Sequence, residues 1–307
     1  MIYLIIAIVC GSLFAVVLRL FQQFKINSEQ GILFNYITGT IVSLVTLFAA
    51  DAPVTEALID NSVFSYRIML TAMIGALFTS GFIIMDMSTW RNGIALTTVI
   101  ARASLVLPVV FSWLFLNQQQ PSWLAVTLVL IALLLIVLPN RPQERSEKRS
   151  ATDAIRRRKA LLTLTSVFLV FGTSDFLMKI LQYSVEVDFG TDKVMSEQLI
   201  NLCTATIFVM ASIFALIICL CKGSFRQSRT DWRTIVGGVV LGIINTGSAA
   251  CMLRGLGCLP TSLYYPVYNI GIVSLATIIG VIFFHEKIKP LQVLGLALAV
   301  VAIALNT

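Results

Sequence analysis

Runs of about 20 apolar residues, separated by short polar loops, constrain this 307-residue chain more than any other feature. A helix of that length crosses the ~30 Å hydrocarbon core of a bilayer. With 58% hydrophobic and 12% charged residues, the chain has too little polar surface to cover a fold in water. The sequence therefore predicts an all-α integral membrane protein.

The apolar runs number ten, five on each side of a basic segment at 140–159. The predicted spans are 2–21, 31–50, 68–88, 93–116, 123–138, 160–183, 199–221, 235–254, 261–284 and 291–305. The domains follow as a five-helix unit at 1–139, the linker at 140–159 and a second five-helix unit at 160–307. The linker is predicted to be a solvated loop, although basic clusters beside a membrane also hold anionic lipids.

The charges of the loops predict the orientation in the membrane. Acidic residues dominate 51–60 and 186–197, whereas basic residues dominate 140–159 and 222–233. Because basic loops stay on the cytoplasmic side, we expect a cytoplasmic linker and both termini outside the cell inner membrane. The overall charge of +7 is explained by these loops and does not indicate nucleic-acid binding.

The two halves repeat each other weakly. Asn35-Tyr-Ile-Thr-Gly-Thr-Ile in the second span corresponds to Asn201-Leu-Cys-Thr-Ala-Thr-Ile in the seventh. Near the end of each half, Asn117-Gln-Gln-Gln-Pro aligns with Glu286-Lys-Ile-Lys-Pro. Two copies with an odd number of spans insert with opposite orientation, so the sequence predicts ten transmembrane helices as two inverted five-helix repeats.

The C-terminal segment Phe284-His-Glu-Lys-Ile-Lys-Pro-Leu-Gln-Val-Leu-Gly295 resembles the signature of the EamA-like branch of the drug/metabolite transporter superfamily. Gly172 and Lys179 stand in the sixth span at the spacing usual for that family. The resemblance implies a metabolite carrier or exporter that works by alternating access. It departs at Asn117, where the first half would carry glutamate, and in the first span, which lacks the carboxylate of the four-span relatives. That departure disfavours proton-coupled efflux of cationic drugs.

Ionisable residues inside predicted spans are candidates for function, because charge in hydrocarbon is costly. We hypothesise an inner gate between Arg19 and Asp86, and an outer gate between Asp175 and Lys179 or Arg254. Asp175 and Lys179 are four residues apart, a spacing that suits an ion pair on a helix. The equally weighted alternative is that these residues only neutralise charge near the span ends.

Arg102 lies nine residues into the fourth span, about 14 Å deep, where its side chain cannot reach the interface. Thr98 shares its helical face. We expect both to face Tyr265 and Asn269 across a cavity and to bind a carboxylate or phosphate. The alternative for Arg102 is a permanent ion pair with Asp175.

The ninth span also offers Tyr264 and Tyr268 to the candidate binding site, one helical turn apart. The alternative for these tyrosines is an interfacial aromatic belt. Asn245 in the eighth span is a weaker candidate. Two stripes of small residues are predicted to serve helix packing. They are Gly238, Gly242 and Thr246, and Thr97, Ala101, Ser104 and Pro108.

The function predicted from these features is secondary transport of a small polar metabolite, anionic or zwitterionic, by alternating access. The alternatives are an efflux pump for hydrophobic compounds and, from another class, a non-transporting receptor or membrane enzyme. No P-loop, metal-ligand spacing or catalytic cluster is recognisable, so we expect no enzyme activity, metal or cofactor. The expected partners are a small-molecule substrate and membrane lipid, with a coupling ion left open.

Overall fold

The computed structural model describes residues 1–24, 26–49, 61–92, 94–137, 151–190, 192–227, 230–284 and 290–304. In these ranges the regular structure consists of twelve helices. They are α1 Ile2–Gln23, α2 Ser28–Phe48, α3 Asn61–Asn92, α4 Ile94–Ala103, α5 Val106–Phe115, α6 Trp123–Val137, α7 Ala151–Phe189, α8 Lys193–Lys222, α9 Ser224–Gln227, α10 Trp232–Cys258, α11 Thr261–Phe284 and α12 Pro290–Ala304.

Seven helices in the described ranges are long and apolar enough to cross a membrane, with α4 and α5 counted together. Two shorter apolar helices lie at Ile2–Leu18 and Trp123–Ile136, and α12 has 15 residues. The outward surfaces of the long helices carry large apolar side chains such as Ile41, Phe48 and Ile243, as lipid contact requires. The prediction of an all-helical, multi-pass membrane protein is therefore confirmed.

Several helices extend beyond the predicted spans. α3 runs through Asn61–Asn92 and α7 through Ala151–Phe189, so the segment 151–159 of the predicted linker is helical. Residues 138–150 of the linker lie outside the described residues. The predicted fourth span, 93–116, is divided into two helices, α4 and α5.

Polar residues define several helix ends. The side chains of Asn27 and Asp192 accept hydrogen bonds from backbone N–H groups in the first turns of α2 and α8. These N–H groups lack intrahelical acceptors, so an Asn or Asp at this position fixes where the helix begins. Gly223 ends α8 with φ of 65°, a left-handed conformation that glycine adopts without steric cost.

The chain forms two compact units, and each draws on both halves of the sequence. Unit 1 consists of Met1–Thr79 and Leu177–Pro260, and unit 2 consists of Ser80–Phe176 and Thr261–Thr307. Two of the three boundaries fall within α3 and α7, so each of these helices contributes to both units. The division into five-helix halves at 1–139 and 160–307 stays a prediction.

In unit 1, α2 packs closely on α10. A Cβ at Gly242 would lie 2.5 Å from the Asn35 carbonyl oxygen, and one at Gly238 would lie 2.8 Å from the Gly31 carbonyl oxygen. Backbones approach this closely only where side chains are absent. Gly238 and Gly242 therefore serve helix packing.

Also in unit 1, α2 runs antiparallel to α8. The Lys222 ammonium group donates to Glu29 at 2.7 Å, and the hydroxyl groups of Thr40 and Ser212 are 2.9 Å apart. These contacts pair the start of α2 with the end of α8. The two helices correspond to the second and seventh predicted spans, which carry the repeated asparagine motif.

In unit 2, α6 and α12 form a second antiparallel pair. The Gln292 side chain donates to the Ile136 carbonyl at 3.1 Å, and a Cβ at Gly295 would lie 2.9 Å from the Ala132 carbonyl oxygen. Gln292 and Gly295 belong to the C-terminal signature, so these two signature residues join the last span of one half to the last span of the other.

Candidate functional site

The candidate site lies in unit 2, where a proline interrupts the fourth span. Pro108 has no N–H group to donate to the Ser104 carbonyl, and its ring crowds that carbonyl. Leu107 N donates to Ser104 O instead, at 2.9 Å, and Leu105 N donates to Arg102 O at 3.3 Å. These tighter bonds end α4 at Ala103 and begin α5 at Val106.

α7 approaches this interruption at Gly172. A Cβ on Gly172 would lie 2.9 Å from the Ser104 carbonyl oxygen and 2.9 Å from Leu107 Cβ. Only glycine permits this approach. Residues that follow Gly172 by about one turn, including Asp175, are consequently held near the end of α4.

Arg102 occupies the last turn of α4 and is partly buried. Its guanidinium group donates to the Asn269 side-chain oxygen on α11 at 3.3 Å. Asn269 is only 3% exposed, and its amide nitrogen donates to the Tyr265 carbonyl at 3.0 Å. The amide is therefore oriented with its oxygen toward the arginine.

Tyr265 connects α11 to α7. Its hydroxyl group donates to the Asp175 backbone carbonyl at 2.5 Å, and its side chain is fully buried. The Asp175 carboxylate interacts electrostatically with Arg102. Unit 2 thus brings Arg102, Asp175, Tyr265 and Asn269 into one cluster, here called the arginine cluster.

The remaining predicted binding residues occupy different positions. Tyr264 and Tyr268 are stacked, with ring centroids 5.7 Å apart, beside Tyr265 in unit 2. Both are buried, so they do not form an exposed aromatic belt. Thr98 lies one turn before Arg102 on α4 and is partly buried. Asn245 belongs to unit 1, where its amide donates to the Asn35 side-chain oxygen at 3.3 Å.

An aromatic group extends from the arginine cluster along α5 and α7. Phe176 follows Asp175 directly, and its ring centroid lies 5.3 Å from that of Phe111 and 6.4 Å from that of Phe115. Edge-to-face contacts of this kind are typical of packed aromatic rings. Apolar surface therefore adjoins the charged residues in this unit.

The structure gives different partners to the cations of the predicted outer gate. In unit 1, the Lys179 ammonium group donates to Gln182 at 2.6 Å and to the Leu256 carbonyl at 2.9 Å. Leu256 lies in the last turn of α10, where carbonyls lack intrahelical donors, and this accounts for the position of the lysine.

Arg254 is likewise engaged within unit 1. Its guanidinium group donates to Glu197 and to Asn201, both at 2.7 Å. Glu197 lies on α8 and forms a salt bridge with Arg254. Lys179 and Arg254 thus have partners other than Asp175 in this structure, and the outer gate stays a prediction.

The predicted inner gate is not resolved by the described side chains. The side chain of Arg19 lies outside the described residues, whereas Asp86 is partly buried on α3 in unit 2. Asp86 has interactions of its own. The pairing of Arg19 with Asp86 therefore stays a prediction.

Sequence reasoning missed one ion pair of a buried arginine and one indication of a helix interruption. Arg67 on α3 is 1% exposed and forms a salt bridge with Asp188 in unit 1, with the Ser184 carbonyl as a further acceptor at 2.8 Å. Arg67 falls one residue before the predicted third span, which hid its burial. Pro108 was assigned to a packing stripe, although a proline inside a helical run indicates an interruption.

Among the described residues, no group of three His, Cys, Asp or Glu side chains converges as a metal site would require. Three ion pairs are formed there, between Arg67 and Asp188, Lys222 and Glu29, and Arg254 and Glu197. The arginine cluster contributes none of them. Arg102 and Asp175 therefore interact electrostatically without forming a salt bridge.

Comparisons with known proteins give the wider relationship. The model of the EamA-like transporter family matches residues 158–307. An uncharacterized protein of Haemophilus influenzae is 28% identical over 305 residues, which cover 98% of this chain and 95% of that protein. A crystal structure aligns with a TM-score of 0.69 at 15% identity, covering 100% of this chain and 96% of that one, which shows a common fold. Residues 158–307 thus match the model of the EamA-like transporter family, which confirms the resemblance carried by the C-terminal signature.

Proposed function

We propose that the protein is a secondary transporter for a small metabolite that carries a carboxylate or phosphate group. The observation that carries this proposal is the small number of hydrogen bonds that Arg102 donates within the described residues. A guanidinium group has five N–H donors, and within the described residues Arg102 donates one hydrogen bond, to a neutral amide oxygen. A charged side chain in the membrane interior needs water, a counter-charge or a bound anion.

The position of Arg102 supports substrate binding over a packing role. It lies at a helix interruption, and transporters commonly bind substrates where spans are discontinuous. The end of α4 also presents carbonyl groups, whose negative potential favours a cation there. The alternative role for Arg102 is therefore to stabilise the end of this helix. A planar guanidinium group that retains unused donors can bind a carboxylate or phosphate through two parallel hydrogen bonds.

The inverted-repeat arrangement with ten spans is part of the same proposal. The second and seventh spans (α2, α8) are antiparallel in unit 1, and the fifth and tenth (α6, α12) are antiparallel in unit 2. Two repeats of opposite orientation require their corresponding spans to run in opposite directions. Alternating access then follows from movement of one set of helices relative to the other.

We place both termini outside and the linker in the cytoplasm of the inner membrane, on the charges of the loops. A reporter enzyme that works only in the cytoplasm should be inactive when fused after Thr307. It should be active when inserted in the linker near residue 145. The opposite pattern would overturn this orientation.

Efflux of hydrophobic compounds is the second candidate, favoured by the aromatic group of Phe111, Phe115 and Phe176 beside Asp175. In that case the rings would bind substrate, and Arg102 would only stabilise the end of α4. An apolar substrate would then bind at the rings without competing with anions for Arg102.

Thermal stabilisation by simple anions tests the proposal, because a ligand that binds only the folded state raises the unfolding temperature. Purified protein is heated with glutamate, with lactate, with sulfate in place of a phosphate group, or with glucose as a neutral comparator. At least one anion should stabilise the protein, and Arg102→Gln should abolish the effect.

Arg233→Lys is the matched control, since Arg233 is exposed at the start of α10. It should respond to the anion as the wild-type protein does. Equal stabilisation of wild type and Arg102→Gln would reject Arg102 as the anion site, and stabilisation by hydrophobic compounds alone would favour the second candidate.

A further inference from the structure

Asp175 and Arg102 attract each other without forming an ion pair. The salt bridges among the described residues do not include them, yet the guanidinium group acts electrostatically on the carboxylate. In the described part of the chain, the Asp175 side chain has no hydrogen bond; only its backbone carbonyl is bonded, to Tyr265. The Asp175 side chain is partly buried.

The groups that face Asp175 within unit 2 come from two neighbouring helices. α4 contributes Arg102, and α11 contributes Tyr265, with Tyr264 and Tyr268 beside it. On α7 itself, Lys179 lies one turn further along, but its ammonium group is engaged by Gln182 and the Leu256 carbonyl.

The third neighbour, α3, places its charges elsewhere. Asn92 on α3 contacts Ala160 and Thr163 on α7, and Gly81 faces Val170 and Phe171, so the two helices are antiparallel. Asp86 lies between Gly81 and Asn92 and is therefore nearer the start of α7 than Asp175 is. Arg102 is thus the main counter-charge of Asp175 within the unit.

We propose that Asp175 is the proton-binding site of the transporter, and that it takes up a proton when an anionic substrate occupies Arg102, so that anion and proton are carried together. This inference rests on the proposed function, because it requires an anion at Arg102. It adds the identity of the coupling ion and the residue that holds it.

The physical argument is the loss of a counter-charge. While Arg102 is unoccupied, its positive charge stabilises the ionised carboxylate. An anion bound to the guanidinium group cancels that charge and adds a negative one, which favours the neutral carboxyl group. The proton comes from the aqueous side to which the site is open, and it leaves when the anion dissociates on the other side.

Linkage fixes the sign of the pH dependence. If the anion increases the affinity of Asp175 for a proton by some factor, the proton increases the affinity for the anion by the same factor. Couplings of this kind are typically about 5- to 150-fold. Anion binding should therefore weaken, on the order of tenfold, between mildly acidic and mildly alkaline buffer.

The test uses the full-length protein and whichever of glutamate, lactate and sulfate stabilises it, because these anions keep a constant charge over that pH range. Infrared difference spectra are recorded on adding the anion. The wild-type protein should gain the C=O band of a protonated carboxyl group. Asp175→Asn should bind the anion without gaining this band, and its affinity should no longer change with pH.

Asp192→Asn is the matched control. Asp192 is an exposed carboxylate that caps α8, a role that asparagine fills equally well. This variant should keep both the carboxyl band and the pH dependence. If Asp175→Asn fails to accumulate, net proton uptake by wild-type protein on anion binding, measured with an indicator dye, still decides.

The outcomes separate the two proposals. Anion binding that requires Arg102 but is independent of pH and produces no carboxyl band would overturn proton coupling and leave the transport proposal standing. Retention of the band in Asp175→Asn would assign the proton to another residue and overturn the proposal. If none of the anions binds, the anion site and the coupling that depends on it are both rejected.

Discussion

The close approach of α7 to the interruption between α4 and α5 gives a sharp prediction at Gly172. A methyl group there would lie 2.9 Å from both the Ser104 carbonyl oxygen and Leu107 Cβ, and 2.5 Å from Leu107 Cδ1. The Leu107 side-chain end can rotate away, but the backbone oxygen and the Cβ move only if the helices separate. Gly172→Ala should therefore force α7 away from α4 and α5.

The expected cost follows from overpacking. Extra methyl groups in a packed interior typically cost about 1–3 kcal/mol, whereas replacing glycine by alanine in a helix returns about 0.5–1 kcal/mol. Gly172→Ala should be destabilised by about 1–2 kcal/mol overall. Because Asp175 follows Gly172 by one turn, the same displacement should weaken anion binding at the arginine cluster.

Gly81→Ala is the matched comparison in the same unit. Gly81 also faces α7, but its added Cβ would meet Val170 Cγ1 at 3.4 Å, an ordinary contact. This variant should be as stable as wild type or slightly more stable. Thermal unfolding in detergent, followed by the fraction that remains monodisperse, compares the two. Equal unfolding temperatures for Gly172→Ala and Gly81→Ala would refute the packing argument.

Three further predictions concern stability. On α10, Gly242→Ala should unfold at a lower temperature than Gly247→Ala. A Cβ at position 242 would lie 2.5 Å from the Asn35 carbonyl oxygen, whereas a Cβ at position 247 would lie 3.6 Å from Cys10 Sγ. Equal melting curves would contradict this. Asp188→Asn, which removes the carboxylate that pairs with buried Arg67, should cost about 1–3 kcal/mol in denaturant titration, whereas Asp192→Asn should cost little. Gln118→Ala should cost about 1 kcal/mol in the same titration, since the Gln118 side chain accepts hydrogen bonds from the Thr261 N–H and hydroxyl groups at the start of α11; an unchanged midpoint would show that this cap is dispensable.

The pattern of apolar runs predicts the helices well because membrane spans satisfy their backbone hydrogen bonds internally. Each predicted span contains a helix, and the stripe of Gly238 and Gly242 lies at a close interface. The positions at which the helices begin and end were harder to predict. α7 extends from the predicted span into the basic linker as far as Ala151. Charged residues at a membrane surface do not end a helix, so a basic run is a poor marker of a helix boundary.

Side-chain partners were the least predictable part of the site. Lys179 and Asp175 have the spacing of an ion pair, but Lys179 is bonded to the end of α10, 77 residues away. Such a choice depends on which helix end lies nearby, and no spacing within one helix reports that. Arg102 differs from Lys179 because the sequence predicts its depth in the span. The sequence therefore also predicts that Arg102 needs a polar partner such as Asn269.

Substrate exchange in proteoliposomes tests the central claim most directly. Vesicles loaded with the anion that stabilises the protein should take up the same labelled anion by exchange when they contain wild-type protein or Arg233→Lys. Arg102→Lys should exchange at least tenfold more slowly, since lysine keeps the charge but loses the planar pair of donors, and Arg102→Gln should not exchange. Exchange at the wild-type rate by correctly folded Arg102→Gln would contradict the account.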